Sequence, residues 1–241
     1  MPRLQLLCFD LDNTLWHVEP VLLRAEHETW QWLVLRVPDL ARYCTADDVR
    51  AHRATLLRQR PDYVHDLTAL RRDAMQHTLR DAGVVAADAT GVAAAAMEFF
   101  LELRHQVEFF PGVLTALECL RERYTLAALS NGNADLTRTA AAPLFDVVLS
   151  AASVGRAKPD PAMFERALVE ARVAAPSAVH IGDHPEHDVL AARAVGLYAV
   201  WANPLALPRP GTLPADVPTL ADFADLAALL ARLETSLGAS A

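Results

Sequence analysis

The sequence contains almost no lysine. Lys158 is the only one, whereas the other 21 of its 22 basic residues are arginine. Arginine and lysine serve almost equally well on a solvated surface, but a planar guanidinium does not replace a compact ammonium in a crowded site. The alternative is chance, because a single lysine is usually a solvated surface residue. Whether Lys158 has a function therefore depends on which reactive groups lie near it.

Other absences exclude whole classes of protein. The three cysteines, Cys8, Cys44 and Cys119, form no CxxC motif, which predicts reduced thiols in a cytoplasmic protein and no zinc site. The N-terminal apolar run Leu4–Phe9 ends at Asp10, so it is too short for a signal peptide or a membrane span. A net charge of −8 without a basic stripe argues against nucleic acid as a partner.

Short apolar runs alternate with helical patterns along most of the chain. Continuous apolar runs are typical of parallel strands that are covered on both faces. The runs are Leu4–Phe9, Thr125–Leu129, Asp146–Leu149, Ala178–Ile181 and Leu197–Trp201. Helices are predicted after Pro111-Gly112, from Asp160-Pro161 to about Ala171, from Glu186 to Val195, and from Thr219 and Asp222 onward. This alternation predicts an α/β fold with a doubly wound, Rossmann-like parallel sheet.

One long interval breaks the alternation, because residues 16–107 contain amphipathic helical patterns and no convincing strand. The predicted helices are Pro20–Arg36, Thr45–Gln59, Asp66–Ala82 and Asp88–Arg104. We therefore expect a catalytic core made of residues 1–15 and 108–241, with residues 16–107 inserted as a helical cap subdomain.

Polar residues directly follow the first, second and fourth of the predicted strands, and another lies in the loop after the third strand. In open α/β sheets, ligands bind at the carboxyl ends of the strands, so these groups are expected to converge. They are Asp10 and Asp12 after the first strand, Ser130, Asn131 and Gly132 after the second, Asp183 and Asp188 after the fourth, and Lys158.

The converging groups are those that phosphoryl transfer to a carboxylate requires. A carboxylate nucleophile is repelled by an anionic phosphate, and Mg²⁺ held by carboxylates together with an ammonium would cancel that repulsion. A hydroxyl and backbone N–H groups can bind the phosphoryl oxygens. A second carboxylate can protonate the leaving oxygen and later deprotonate water.

Four segments in order resemble the motifs of the haloacid dehalogenase superfamily: DLDNT at 10–14, SNG at 130–132, KPDP at 158–161 and GDHPEHD at 182–188. The position of the helical insert, after the first motif, also fits that superfamily. The resemblance implies a phosphatase in which Asp10 is the nucleophile that forms an aspartyl-phosphate. Asp12 would be the general acid and base.

The same resemblance implies how metal and phosphate are held. Mg²⁺ would be bound by the Asp10 side chain, the Asp12 backbone carbonyl and Asp183, with Asp188 supporting these ligands. Phosphate would be bound by Ser130 and Lys158, with N–H groups from Asn131 and Gly132.

Several alternatives can be compared with this interpretation. Haloacid dehalogenases share the fold and the nucleophile but lack a second aspartate equivalent to Asp12 and need no metal, so Asp12 favours a phosphatase. Phosphonate hydrolysis in the superfamily uses a lysine of the cap, and residues 16–107 contain none. The lack of membrane spans argues against a P-type pump. A phosphate-accepting signalling module has no room for the insert.

The cap is expected to determine which small phosphate ester is the substrate. The chain is similar to a bacterial branch of the superfamily that acts on flavin mononucleotide and on the phosphorylated ribitylaminouracil intermediate of riboflavin synthesis. The similarity includes PVLLRAE at 20–26 and PDYVHDLT at 61–68. Trp16, His17, Tyr63 and His65 are the candidate substrate contacts, although packing roles are equally compatible with the sequence. Phosphoglycolate, sugar phosphates and nucleoside monophosphates stay open as substrates, and the sequence does not select between a monomer and a homodimer.

Overall fold

The structure, a computed structural model that describes residues 3–239, contains a six-stranded parallel sheet. Its strands are β1 (Leu6–Phe9), β2 (Thr125–Ser130), β3 (Val147–Ser150), β4 (Ala178–Gly182), β5 (Tyr198–Ala202) and β6 (Thr219–Leu220). The strand order is β3-β2-β1-β4-β5-β6, and every pair is parallel. The predicted α/β fold with a doubly wound parallel sheet is therefore confirmed.

The chain between β1 and Glu108 is helical for most of its length. The helices are α1 (Val18–Arg36), α2 (Leu40–Tyr43), α3 (Ala46–Gln59), α4 (Leu67–Asp81) and α5 (Ala86–Arg104). Thr45 and Asp48 form a capping box at the start of α3, and the Asp66 side chain accepts a hydrogen bond from Ala69 N at the start of α4. Small and apolar residues fill the space between the helices, among them Ala93, Ala96 and Leu79.

The later helices accompany the strands of the sheet. They are α6 (Val113–Leu120), α7 (Ala151–Val154), α8 (Ala162–Ala171), α9 (Ala191–Val195) and α10 (Leu226–Ala239). A π-helical turn, Pro185–Leu190, leads directly into α9, which ends at Gly196 with a φ of 93°. Just before α8 the Asp160 carboxylate accepts a hydrogen bond from Ala162 N at 3.0 Å. None of the helices among residues 3–239 is both long and apolar enough to cross a membrane.

The register of the central strands places their carboxyl ends side by side. Phe9, the last residue of β1, is paired with Ala128 of β2 and with Ile181 of β4. The backbone N–H of Asp10 then donates to Ile181 O at 2.9 Å. Residues that follow these strands therefore emerge at one edge of the sheet, as expected for parallel strands.

The start of the last helix differs from the prediction. Thr219, expected to open that helix, lies instead in β6, where it is paired with Trp201 of β5. Asp222 does act as a cap, but its carboxylate accepts from Ala224 N in a 3-10 turn that precedes α10. Sheet pairing at the edge therefore overrides the helix-start pattern of this segment.

The described chain divides into two compact units. One contains the sheet and is formed by residues up to His17, Glu108–Gly132 and Leu136 onward, and the other contains Val18–Val107 and Asn133–Asp135. We call them the sheet unit and the helical unit. Trp16, which the sequence assigned to the cap, belongs to the sheet unit because its backbone bridges to Phe109 and its ring contacts the Phe109 ring edge-on.

Helix α8 provides a test of the core of the sheet unit. Met163 is fully buried in the main hydrophobic cluster, whereas Val169 of the same helix is 72% exposed. We expect Met163→Ala to lower the free energy of unfolding by about 2–5 kcal/mol, because it removes transfer energy and leaves a cavity. Val169→Ala is the matched control and should change it by less than about 0.5 kcal/mol. Urea unfolding followed by circular dichroism measures both, and equal effects would contradict this description of the core.

Candidate active site

The Lys158 ammonium occupies the centre of the sheet edge. Its Nζ lies 2.7 Å from Asp10 Oδ1, 2.6 Å from Asp188 Oδ1 and 2.6 Å from the Leu129 carbonyl oxygen. The side chain is only 1% exposed. An ammonium has three N–H donors, so each of them has an oxygen acceptor in the protein. Lys158 is therefore paired with two carboxylates, those of Asp10 and Asp188.

The loop that carries Lys158 is fixed by the side chain of Asn131. Asn131 Nδ2 donates to Lys158 O, and Lys158 N donates to Asn131 Oδ1, each at 2.8 Å. The peptide bond between Lys158 and Pro159 is cis. In addition to the backbone role expected for phosphate binding, Asn131 therefore holds the lysine loop against the end of β2.

Asp188 is buried and receives hydrogen bonds on both of its oxygens. His180 Nε2 lies 2.9 Å from Oδ1, which also accepts from Lys158, and His184 N donates to Oδ2 at 2.9 Å. Although burial opposes ionisation, the charge of Lys158 and the His180 contact together hold the pKa of the Asp188 carboxyl below its usual range. Asp188 is therefore a charged anchor for the lysine.

Three carboxylates form an acidic cluster that fits a divalent cation. Oxygens of Asp10, Asp183 and Asp188 all lie within 4.8 Å of one another. Burial, reinforced by the neighbouring Asp188 charge, raises the pKa of Asp183 to about 7. Burial also raises the pKa of Asp10 well above its usual range, against the opposing charge of Lys158. The three carboxylates are thus faced by only one ammonium, Lys158, which does not balance their negative charge. Their oxygens are the ligand type that a hard cation such as Mg²⁺ prefers.

Asp12 is held in place by a tryptophan and a glycine. Trp16 Nε1 donates to Asp12 Oδ1 at 2.8 Å. The other oxygen, Oδ2, lies so close to the backbone that a Cβ on Gly132 would come within 2.4 Å of it. Glycine is therefore required at position 132 for the Asp12 carboxylate to take this position. The sequence did not reveal this contact, since it depends on the folding back of residues 12–16.

Ser130 lies at the end of β2 and is 2% exposed. Its Oγ accepts a hydrogen bond from Gly132 N at 3.0 Å. The hydroxyl and the N–H that were both expected to bind phosphate are therefore bonded to each other in this structure. Because Gly132 N already donates to Ser130, the hydroxyl hydrogen of Ser130 is the donor that can point toward an anion.

Two of the four candidate substrate contacts are buried in the protein instead. Trp16 is 0% exposed, and its indole N–H is used by Asp12. Tyr63 is 6% exposed, and its hydroxyl donates to Asp73 Oδ2 at 2.5 Å inside the helical unit. Protein groups engage both side chains in this structure, and the expectation that they contact substrate stays a prediction. His17 and His65 are half-buried, and their roles stay predictions.

Sequence reasoning missed two buried polar residues at the site. His180 lies in the middle of β4, where an apolar residue is expected, and that exception was the signal that could have identified it. Thr14 is 0% exposed, and its hydroxyl lies 3.4 Å from Asp10 Oδ2. Thr14 ends the DLDNT segment, so its place in that motif was the available indication.

The chain is similar to known proteins over most of its length. A family model described as haloacid dehalogenase-like hydrolase matches residues 4–196. The 5-amino-6-(5-phospho-D-ribitylamino)uracil phosphatase YigB of Escherichia coli is 31% identical over 202 residues, which cover 84% of each chain. A phosphoserine phosphatase of Thermus thermophilus is 38% identical over 112 residues, which cover 44% of this chain and 45% of that protein.

A solved structure shares nearly the whole fold. The 2-haloacid dehalogenase from Pseudomonas syringae pv. Tomato superposes with a TM-score of 0.88 at 38% identity, covering 95% of this chain and 99% of that one. The matched family model extends from β1 to the end of α9, so it includes every strand-end residue of the site described above. The chain is a member of the haloacid dehalogenase-like hydrolase family.

Proposed function

We propose that this hydrolase is a Mg²⁺-dependent phosphomonoesterase that acts on small phosphorylated metabolites through an aspartyl-phosphate intermediate. The observation that carries the proposal is the pair of carboxylates, Asp10 and Asp12, which differ in their partners. Asp10 is bound to an ammonium at 2.7 Å, whereas Asp12 is bound to a neutral indole N–H at 2.8 Å. Two neighbouring carboxylates with different surroundings are suited to different chemical duties.

In the first step an Asp10 oxygen attacks phosphorus, and the bond from phosphorus to the ester oxygen breaks. Lys158 orients the nucleophile by its bond to Oδ1, which leaves Oδ2, on the Thr14 side, as the attacking oxygen. Asp12 donates its proton to the departing alkoxide. Because Oδ1 of Asp12 accepts from Trp16, the indole fixes the orientation of the carboxyl group for this proton transfer.

In the second step water attacks the phosphorus of the aspartyl-phosphate. Asp12, now ionised, takes a proton from that water, and phosphate leaves as the Asp10 carboxylate is restored. The Ser130 hydroxyl holds a phosphoryl oxygen during both steps. Lys158 contributes through its charge and through Asp10, because its three N–H groups are already donated to protein oxygens. This differs from the direct phosphate contact expected from the sequence.

The acidic cluster is the proposed metal site. Asp10 and Asp183 would hold Mg²⁺ together with the Asp12 backbone carbonyl, and Asp188 would support them. When bound, the ion would neutralise charge on the phosphoryl oxygens. Trp201 fixes the backbone at one of these ligands, since its Nε1 donates to Asp183 O at 2.7 Å.

The substrate class is suggested by the relatives. The E. coli relative is named for a phosphorylated ribitylaminouracil, and its match covers 84% of this chain. We propose the same compound and flavin mononucleotide as the first substrates to test, which would place the protein in riboflavin metabolism. The proposed location is the cytoplasm, an inference from the cysteine pattern of the sequence.

Dehalogenation of 2-haloacids is the second candidate function. It is favoured by one specific observation, the 38% identity to the Pseudomonas syringae protein whose structure is described as a 2-haloacid dehalogenase. In that chemistry Asp10 would attack carbon and no leaving-group proton would be needed. The observed Trp16–Asp12 contact, which fixes a second carboxylate beside Gly132, has no evident use in such a reaction.

The first prediction concerns the nucleophile and the metal. Asp10→Asn should abolish phosphate release from a metabolite panel that includes flavin mononucleotide, because an amide is not a nucleophile toward phosphorus. EDTA should abolish release by the native enzyme, and added Mg²⁺ should restore it. Asp88→Asn, an exposed aspartate of α5, is the matched control and should retain full activity.

The same assay separates the two candidate functions. Halide release from 2-chloropropionate without metal, combined with no phosphate release from any ester, would replace the phosphatase proposal by the dehalogenase one. Phosphate release by Asp10→Asn at the native rate would eliminate Asp10 as the nucleophile.

The second prediction addresses the single lysine. Lys158→Arg should lower kcat by about 10²–10³, the range seen when a preorganised charge stabiliser is lost. A planar guanidinium cannot direct three donors at Asp10, Asp188 and the Leu129 carbonyl within the same buried space. Arg156→Lys, an exposed exchange two residues away, is the control. Steady-state kinetics with circular dichroism as a fold check would decide, and normal turnover by Lys158→Arg would show that its ammonium is dispensable.

The third prediction concerns the tryptophan that positions Asp12. Trp16→Phe preserves an aromatic ring against Phe109 but removes the N–H donor to Asp12. We expect kcat to fall by about 10–100-fold, the range for losing a hydrogen bond to a charged group, with a smaller change in KM. Trp32→Phe in the helical unit should leave kcat unchanged. An unchanged kcat for Trp16→Phe would contradict the positioning role.

A further inference from the structure

The helical unit contains a cavity of its own. Its volume is about 50 Å³, several times the 10–15 Å³ that one water molecule requires. Most of the lining is apolar and comes from four helices, α1, α3, α4 and α5, through residues such as Leu33, Val49, Met75 and Phe100. None of the residues assigned to phosphoryl transfer lines it.

Three arginines converge at one side of this cavity on a single glutamate. Arg53 Nη1 and Arg71 Nη1 each donate to Glu26 Oε1 at 2.7 Å, and Arg50 Nε lies 3.3 Å from Oε2. Burial acts to raise the pKa of Glu26, but the hydrogen bonds from Arg71 and Arg53 outweigh burial and lower this pKa to about 2. Glu26 is therefore ionised. Arg50 also pairs with the exposed Asp47. The cluster then has three guanidinium groups against two carboxylates, which leaves one positive charge in excess.

The guanidinium groups have donors to spare. Each guanidinium carries five N–H groups, and Arg53 and Arg71 reach Glu26 through a single nitrogen each. Arg71 is mostly buried, with 15% of its side chain exposed, whereas Arg50 is 46% exposed. The charged side of the cavity therefore runs from the interior of the helical unit to its surface, which provides a route of entry.

A buried threonine in the same wall has no partner. Thr29 is 4% exposed and lines the cavity, and within residues 3–239 no group hydrogen-bonds to its Oγ1. An unpaired buried hydroxyl costs about 1–3 kcal/mol, so a valine of similar shape would be more stable at this position. Thr29 lies three residues after Glu26 on α1, on the same face of the helix as the arginine cluster.

We propose that this cavity is a binding site for a small monocarboxylate with a short apolar tail. The carboxylate would take the spare N–H donors of Arg53 and Arg71, a pairing that guanidinium geometry favours. Its second oxygen would accept the Thr29 hydroxyl, and the tail would lie against Leu33 and Phe100. The apolar lining distinguishes this ligand from inorganic phosphate, which has no tail to bury. The site is independent of the phosphatase proposal, because Asp10 and its neighbours take no part in it.

Isothermal titration calorimetry of the 241-residue chain in phosphate-free buffer with EDTA tests the proposal. Sodium propionate and sodium butyrate are the probes, and inorganic phosphate is the comparison ligand. We expect saturable one-to-one binding of at least one carboxylate and weaker binding of phosphate. Binding should persist in Asp10→Asn, so that a failure of the phosphatase proposal and a failure of this one remain distinguishable.

Three variants connect the binding to the cavity. Thr29→Val should raise the Kd by about tenfold while leaving Tm equal or higher, a combination that a packing role for Thr29 does not predict. Ala74→Leu should fill the cavity and abolish binding without changing any charge, since Ala74 is a buried residue of its wall. Arg58→Gln removes an exposed arginine of α3 that does not line the cavity and should not alter the Kd.

Two outcomes of the carboxylate titrations would overturn the proposal. One is the absence of saturable binding for both carboxylates. The other is binding that stays within twofold of the native Kd in both Thr29→Val and Ala74→Leu, which would place the carboxylate elsewhere. Phosphate binding that is as tight as that of the carboxylates, and that Ala74→Leu also abolishes, would likewise reduce the cavity to a simple anion site and reject the assigned ligand.

Discussion

The site depends on one buried ammonium. Lys158 is bound to a carboxylate that follows β1, a carbonyl near the end of β2 and a carboxylate beyond β4, all at 2.6–2.7 Å. Each of these acceptors lies on a different segment of the chain, so the lysine fixes their separation. Removing one partner of a buried ion pair typically costs about 3–5 kcal/mol, because the remaining charge stays buried without compensation. Structural support and charge neutralisation are therefore functions of the same nitrogen.

Two glycines make this crowding of charge possible. A Cβ on Gly182 would come within 2.4 Å of Asp188 Cγ, and one on Gly132 would meet Asp12 Oδ2 at the same distance. Both carboxylates therefore pack directly against backbone, where a side chain would displace them. The acidic groups come together because the strand ends converge, and the glycines set how closely they approach.

The sheet and most of the strand-end residues were predictable, because buried parallel strands are continuous apolar runs and their carboxyl ends meet at one edge. The predictions that failed concerned residues whose positions depend on contacts distant in sequence or on the direction of a side chain. Thr219 has the pattern of a helix start but is paired with Trp201 at the edge of the sheet. Trp16 was placed in the cap, yet its indole turns back onto Asp12. The cavity around Thr29 arises from four helices, and no local pattern specifies an empty space.

The unequal use of lysine and arginine has a physical basis in both units. At the sheet edge, three acceptors surround one point, which suits a compact ammonium with three donors. In the helical unit, three guanidinium groups share one glutamate and retain donors for a further planar anion. If a lysine replaced Arg53, its ammonium would pair with Glu26 and would have few N–H donors left to direct at another anion. The single ammonium at the sheet edge and the three guanidinium groups beside the cavity thus each match the number and direction of the acceptors that they face.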